Sequence, residues 1–305
     1  MNAAHFSHHR RAASSLLLVL WALLLLSAAV FAFAKWMQQD MQLHAEANRD
    51  QEARAMAHSG MAFALIPQVT KLTPGLEEEF QGELGYRVRI VSEAGRLNIK
   101  WLLEGETPVK LDILNKWLER RGLGFNERQI FIDCLLDWVD GDNAHRLNGV
   151  EDDGDYHPPN RMLQSVEEIA QVHGAEPLTA TEGWQESLTI YGTNGRINPL
   201  AADLETLRLL PGNLADPRLQ AFVTYRRGRD GLDGTKDDPK FKSIEEVLTQ
   251  LGAAGAGRQL LVDLVTIDDQ IMRVTSEGRS ADAYRQVEAV VLKGGGKPTI
   301  YSWKE

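Results

Sequence analysis

Cysteine is almost absent from this chain. Cys134 is the only one in 305 residues, so no internal disulfide can brace the fold, and stability must come from packing or from a bound metal. Cys134 stands in the apolar run 130–136, where a thiol is expected to be buried and inert. Positive charge is also short, with 33 Lys and Arg against 43 Asp and Glu and a net charge of -10. Nucleic acid is therefore not an expected partner, because phosphate contacts need clustered basic residues. Catalytic signatures are missing too: there is no nucleophile elbow, HExxH helix, phosphate-binding loop or dinucleotide fingerprint. The many carboxylates lie beside glycines, not in the apolar surroundings that raise a carboxyl pKa for glycoside hydrolysis. An enzyme is not expected.

What the chain does have is one long apolar run. Residues 16–34 are apolar apart from Ser27, about the length that spans a bilayer. Arg10 and Arg11 precede it and place that end in the cytoplasm by the positive-inside rule. A cleaved secretory signal, a plain signal anchor and a pilin-like leader cut before the apolar run all fit this segment. Helix formers continue to Ile66 and Pro67 stops them, so one helix is expected over 14–66, about 80 Å long, with 14–34 in the membrane. A filament subunit or a stalked membrane anchor would use such a helix.

The rest reads as an α+β protein. Tyr86, Val88 and Ile90 alternate with Arg87 and Arg89 as in a half-buried strand. Runs 270–275, 284–293 and 298–303 are also strand-like, with Gly278 and Gly294–Gly296 expected to separate them. A head of 67–95 and 261–305 would thus be interrupted by a helical insert of 96–260. The insert holds a degenerate repeat, about 95–174 and 195–252. Gly95-Arg96-Leu97-Asn98 matches Gly195-Arg196-Ile197-Asn198, and helices follow at 111–121 and 127–139, then at 204–210 and 217–227. Each copy enters an acidic glycine-bearing loop. Each loop ends in a capping-box start, Ser165 to Glu168 and Ser243 to Glu246, with Gly174 and Gly252 closing the helices.

The first loop carries Asp140, Asp142, Asn143, Asn148, Glu151, Asp152, Asp153 and Asp155. Calcium takes six to eight such oxygen ligands, and the loop is expected to bind it. The register is not that of an EF-hand, because Ala144 and His145 stand where a ligand and the obligatory glycine belong. The second loop, with Asp230, Asp233, Asp237 and Asp238, is a weaker candidate.

In this order, several segments resemble the minor pseudopilin K family of bacterial type II secretion systems. They are Leu18-Val19-Leu20-Trp21, the Ala-rich stretch 51–60, Gly95-Arg96-Leu97-Asn98-Ile99, Asp137-Trp138-Val139-Asp140-Gly141-Asp142, Asn148-Gly149-Val150-Glu151-Asp152-Asp153, 158–168 and 194–199. The resemblance implies a pilin-like head interrupted by a large helical domain. It implies a single-pass inner-membrane precursor with most of its chain in the periplasm. Prepilin peptidase would remove a cytoplasmic leader, 1–13, between Ala13 and Ser14 and methylate the new N-terminus. Ala13 stands where the family has glycine, which is a departure. Leu18 stands where most pilins carry a glutamate, an absence typical of this family. A carboxylate in lipid is costly unless paired, so a subunit with none above it has no use for one. The implied partners are minor pseudopilins I and J and the major pseudopilin filament, with calcium in the head and the filament tip as the place of work. A type IV minor pilin, a signal-anchored periplasmic binding module and an anchored hydrolase are the other readings.

Overall fold

A computed structural model describes residues 8–80, 82–267, 270–294 and 296–305. The helix α1 (His8–Ala64) leads into β1 (Glu77–Glu79) and β2 (Leu84–Ser92). Next come β3 (Leu97–Asn98), α2 (Ile99–Leu103), α3 (Pro108–Arg120) and α4 (Phe125–Val139). A long loop is followed by α5 (Glu176–Thr179), β4 (Leu188–Thr189), α6 (Leu204–Leu207), α7 (Asp216–Arg226), α8 (Ile244–Gln250) and α9 (Gly255–Leu264). The strands β5 (Ile271–Ser280), β6 (Ala283–Leu292) and β7 (Thr299–Lys304) close the chain. The fold is α+β, as its sequence pattern implied.

One antiparallel sheet, in the order β1-β2-β5-β6-β7, joins strands from both ends of the head. The pairing of β2 with β5 sets Ile90 opposite Val274 and closes a chain separation of 184 residues in one hydrogen-bonded ladder. The C-terminal half of α1 lies across this sheet. Ala53, Ala57, Met61 and Ala64 recur at helical spacing and are fully buried, and the last three pack with Val88, Ile90, Val274, Val287 and Val291. Small residues on α1 let the helix come close. Glycine is required on the sheet side too: a Cβ at Gly278 would fall 2.0 Å from the carbonyl oxygen of Ala53. Gly278 therefore does not end a strand, as its sequence setting suggested. It sits inside β5, where helix and sheet backbones nearly touch. Lys293 Nζ donates to the carbonyls of Ala64 and Val69, 2.5 and 2.6 Å away, and so satisfies acceptors left open where α1 ends. The N-terminal half of α1 is different. Its apolar side chains from Leu16 to Phe33 are exposed, and an 18-residue window has mean hydropathy 2.8 with none of it buried.

Residues between β2 and β5 form a second core. Ile113, Leu114, Trp117 and Leu118 of α3 and Phe131, Cys134 and Leu135 of α4 meet Leu207, Leu219, Phe222, Val247 and Leu261 in it. Leu264 and Val265 belong to this core as well, so the helical packing runs to about the end of α9. The repeated Gly-Arg segments pack on each other. A Cβ on Gly95 would lie 2.7 Å from the Ala201 carbonyl, and one on Gly195 would lie 2.2 Å from Trp101 Cβ. Asn98 Oδ1 accepts from the Trp101 N–H, and Asn198 Oδ1 accepts from the Leu200 N–H. Both capping segments share one geometry. Ser165 and Ser243 Oγ each accept from the N–H of the glutamate three residues on, at 3.3 Å. Those glutamates reach back to the N–H of Gln164 and Lys242, one residue earlier than a capping box requires. The two cores meet at Glu93. It is fully buried, and Arg273 of β5 holds it with two bonds of 2.9 and 2.6 Å while the Thr189 hydroxyl donates at 2.5 Å.

Candidate metal centre

The first acidic loop grows out of the C-terminus of α4. Asp137 lies in the last turn and Asp140 caps the helix, its N–H bonded to the Leu136 carbonyl at 3.0 Å. Three residues apart, they share one face. Both carboxylates stand at the negative end of the helix dipole, so the position calls for a compensating cation. The loop returns Glu151 to the same place. Asp137, Asp140 and Glu151 each present an oxygen within 4.8 Å of the others. Among the described residues this is the one such cluster of acidic or histidine side chains. Asp137 is fully buried and Glu151 is 8% exposed. Gly149 makes room, because a Cβ there would fall 1.8 Å from Asp137 Oδ2.

Arg146 supplies one positive charge. Its Nη1 donates to Asp137 Oδ1 at 2.6 Å and Asp140 Oδ2 at 2.5 Å, and its Nη2 donates to Glu106 at 2.7 Å. Its backbone N–H also donates to Asp137. Three loop oxygens remain without a hydrogen-bond partner though buried: Asp140 Oδ1, Glu151 Oε1 and Asn160 Oδ1. Buried acceptors are paired in most structures, and a lone buried carboxylate oxygen is costly. Burial, then the neighbouring Asp137 and Asp140, raises the Glu151 carboxyl above its ordinary value. Unpaired oxygens of this kind, two from carboxylates and one from an amide, suit a hard divalent cation such as calcium.

The eight oxygen-bearing residues expected as ligands do not all converge. Asp140 and Glu151 come together. Asp142 Oδ1 accepts from the Ala144 N–H, and Asn143 Oδ1 accepts from Asn160 Nδ2. Asn148 donates to Asp133 Oδ2 from both its backbone and its side chain. Asp152 pairs with His157 at the surface, while Asp153 and Asp155 are exposed. Asp137 and Asn160 belong to the centre and escaped the sequence reading. The three-residue spacing of Asp137 from Asp140 at a helix end was the signal for the first. Asn160, left-handed at φ 48°, gave none.

The second loop satisfies itself. Asp233 takes Arg226 Nε and Arg227 Nε. Asp237 accepts from the N–H groups of Arg229 and Asp230 and from the Thr235 hydroxyl, which holds its carboxyl down at about 2. Asp238 accepts from the Gly234 N–H, and Asp230 from the Leu232 N–H. Cys134, beneath the first loop, is buried, and desolvation pushes its thiol up to about 11. Ala13 and Ser14, the residues expected to flank the processing site, lie within the helical backbone of α1.

Residues 95–182, which hold α2 to α4 and the whole first loop, match the family described as type II secretion system (T2SS), protein K. That stretch is what the chain shares with protein K of type II secretion systems. A chain in the crystal structure of the GspK-GspI-GspJ complex from the enterotoxigenic Escherichia coli type 2 secretion system has the same fold. The similarity has a TM-score of 0.58 and 13% sequence identity, over 88% of this chain and 97% of that one. No curated protein matches the chain. The match over residues 95–182 and the shared fold support the family expected from the sequence, minor pseudopilin K of type II secretion.

Proposed function

We propose that this chain works as a minor pseudopilin K at the tip of a secretion pseudopilus, assembling there with minor pseudopilins I and J to start or cap the filament. The observation that carries this reading is the division of α1. Its C-terminal half is sewn to the sheet through Ala57, Met61 and Ala64, while the apolar side chains from Leu16 to Phe33 are exposed. Such a helix has one stable environment in lipid and another in a bundle of like helices. The chain would wait in the inner membrane, head in the periplasm, until assembly draws it out. The complex of GspK with GspI and GspJ, whose fold this chain shares, supports the choice of partners. Leu18, apolar where a pilin partner would need a charge, supports a place with no subunit above. The work is assembly, not chemistry.

Calcium is part of this reading. Asp140, Glu151 and Asn160 would hold it, with Asp137 beside them, and the ion would offset the charge that the loop gathers. The cation would tie α4 to the loop in a chain that has no disulfide to do so.

Mass spectrometry of the native N-terminus tests the filament reading. A methylated chain beginning at Ser14 is expected, and an intact Met1 would sink it. Affinity capture of the full chain from membranes should bring down the I and J pseudopilins. Capture of pilus subunits instead would move the protein to a different machine.

A further inference from the structure

We infer that Arg146 fixes the charge of the first-loop site and so selects a single divalent cation over a trivalent one. The inference rests on the calcium reading above. Three carboxylates, those of Asp137, Asp140 and Glu151, converge within 4.8 Å. The guanidinium of Arg146 is bonded to two of them and is itself only 24% exposed. With the arginine in place the cluster carries two net negative charges, which one divalent ion neutralises. The other charged groups nearby are at the rim: Glu106, bonded to Arg146, and Asp142 and Asp152, all exposed and screened by solvent.

The division of oxygens points to coexistence and not to competition. Arg146 takes Asp137 Oδ1 and Asp140 Oδ2. The oxygens left without partners, Asp140 Oδ1, Glu151 Oε1 and Asn160 Oδ1, are not the ones it uses. A guanidinium is always charged, and its donors lie in a fixed fork. Arg146 therefore holds two carboxylates in place while cancelling one of their charges, and the ion meets a pre-set field.

The test compares terbium and calcium on the full-length protein in detergent micelles. Terbium is followed by luminescence sensitised through the protein's tryptophans, and calcium by its competition with terbium. Arg146→Gln leaves three uncancelled charges, and the ratio of terbium to calcium affinity should rise by about tenfold or more. Arg146→Lys keeps the charge, and the ratio should stay within about threefold of wild type. Glu151→Gln removes a negative charge, and the ratio should fall. Opposite signs for Arg146→Gln and Glu151→Gln are the mark of a charge-setting role, which a merely structural contact would not produce. An unchanged ratio in Arg146→Gln overturns the inference, as does a variant that tightens both ions equally, since that would make Arg146 a rival for the ligand oxygens. Should Arg146→Gln not fold, an unchanged ratio in Glu151→Gln overturns it instead. Wild-type protein that binds neither ion overturns the calcium reading itself, and this inference with it.

Discussion

The two acidic loops share composition and place in the repeat, yet they handle negative charge in opposite ways. In the second loop every aspartate has a partner from the chain: Arg226 and Arg227 for Asp233, backbone N–H groups for Asp230, Asp237 and Asp238. In the first, Asp140 and Glu151 each keep a buried oxygen that no donor reaches. A carboxylate can be stabilised by an opposite charge or by hydrogen bonds, and the two loops divide these means between them. The difference teaches that counting acids does not find a cation site. What marks the site is acceptors left over after the protein's own donors have been assigned.

The largest effect that would sharpen this contrast is thermal. Calcium at a hundredfold excess over its dissociation constant adds about 2.7 kcal/mol. For a body of this size that is a rise of roughly 5–10 °C in melting temperature. Asp140→Asn with Glu151→Gln should abolish the rise, and Asp230→Asn with Asp237→Asn should leave it intact. A wild-type protein whose melting ignores calcium would erase the distinction between the loops.

Second in size is the loss of Asp233. Its partner Arg226 is 6% exposed and also donates to the carbonyls of Pro199 and Ala202, both at 2.6 Å. Asp233→Asn strands part of that buried charge. Because the two carbonyls remain and Asp233 is half exposed, we expect about 1–2 kcal/mol of destabilisation by denaturant titration, not the larger loss of a fully buried pair. The loss should be equal with and without calcium, which separates it from the first loop.

Acid should part the loops further. Asp237 is held at about 2 against an ordinary 3.8, chiefly by the Thr235 hydroxyl and the Arg229 N–H. A lowered carboxyl stabilises the fold above its ordinary value, and that contribution fades as the pH falls from 3.8 toward 2. Glu151 is raised by burial, so without an ion its favourable share is complete below 4.5 and is lost as the pH rises through its elevated value. Ion binding needs the ionised carboxylate, so the calcium-dependent rise in melting should shrink as the pH drops through that same range. A rise that stays constant down to pH 4 would contradict the placing of Glu151 among the ligands.

Much of the frame was legible because its signals are local. The apolar run, the small residues Ala53 and Ala57, the alternation at Tyr86, Val88 and Ile90, and the serines that start Ser165 and Ser243 each report on their own neighbourhood. Gly278 was misleading for a tertiary reason. Its glycine is demanded by α1 passing over β5, a contact that no window of neighbouring residues contains. The centre failed in the same way. Asp152, Asp153 and Asp155 look like ligands by composition, but the chain turns them to solvent, while Asp137 looks like an ordinary helix residue and is buried under Gly149. Which oxygens keep a free lone pair depends on where Arg146 and the loop's N–H groups end up, and spacing does not carry that.

The smallest effect we expect is chemical and concerns the thiol beneath the first loop. Cys134 is fully buried and its Sγ donates to the Asn148 carbonyl at 3.5 Å. Desolvation raises its pKa to about 11. Against an ordinary value of 9.0, that is about 100-fold less thiolate at neutral pH, before burial blocks access. A thiol reagent should therefore label it only when the loop opens. Removing the ion that ties Asp140 to Glu151 lowers the cost of that opening, so chelation should speed labelling of the folded protein, and Asp140→Asn should do so even with calcium present. Asp237→Asn, on the other loop, should leave the rate unchanged. Equal acceleration by both variants would mean that the loops open as one cooperative unit, and the contrast between them would then be one of local bonding with no consequence for motion.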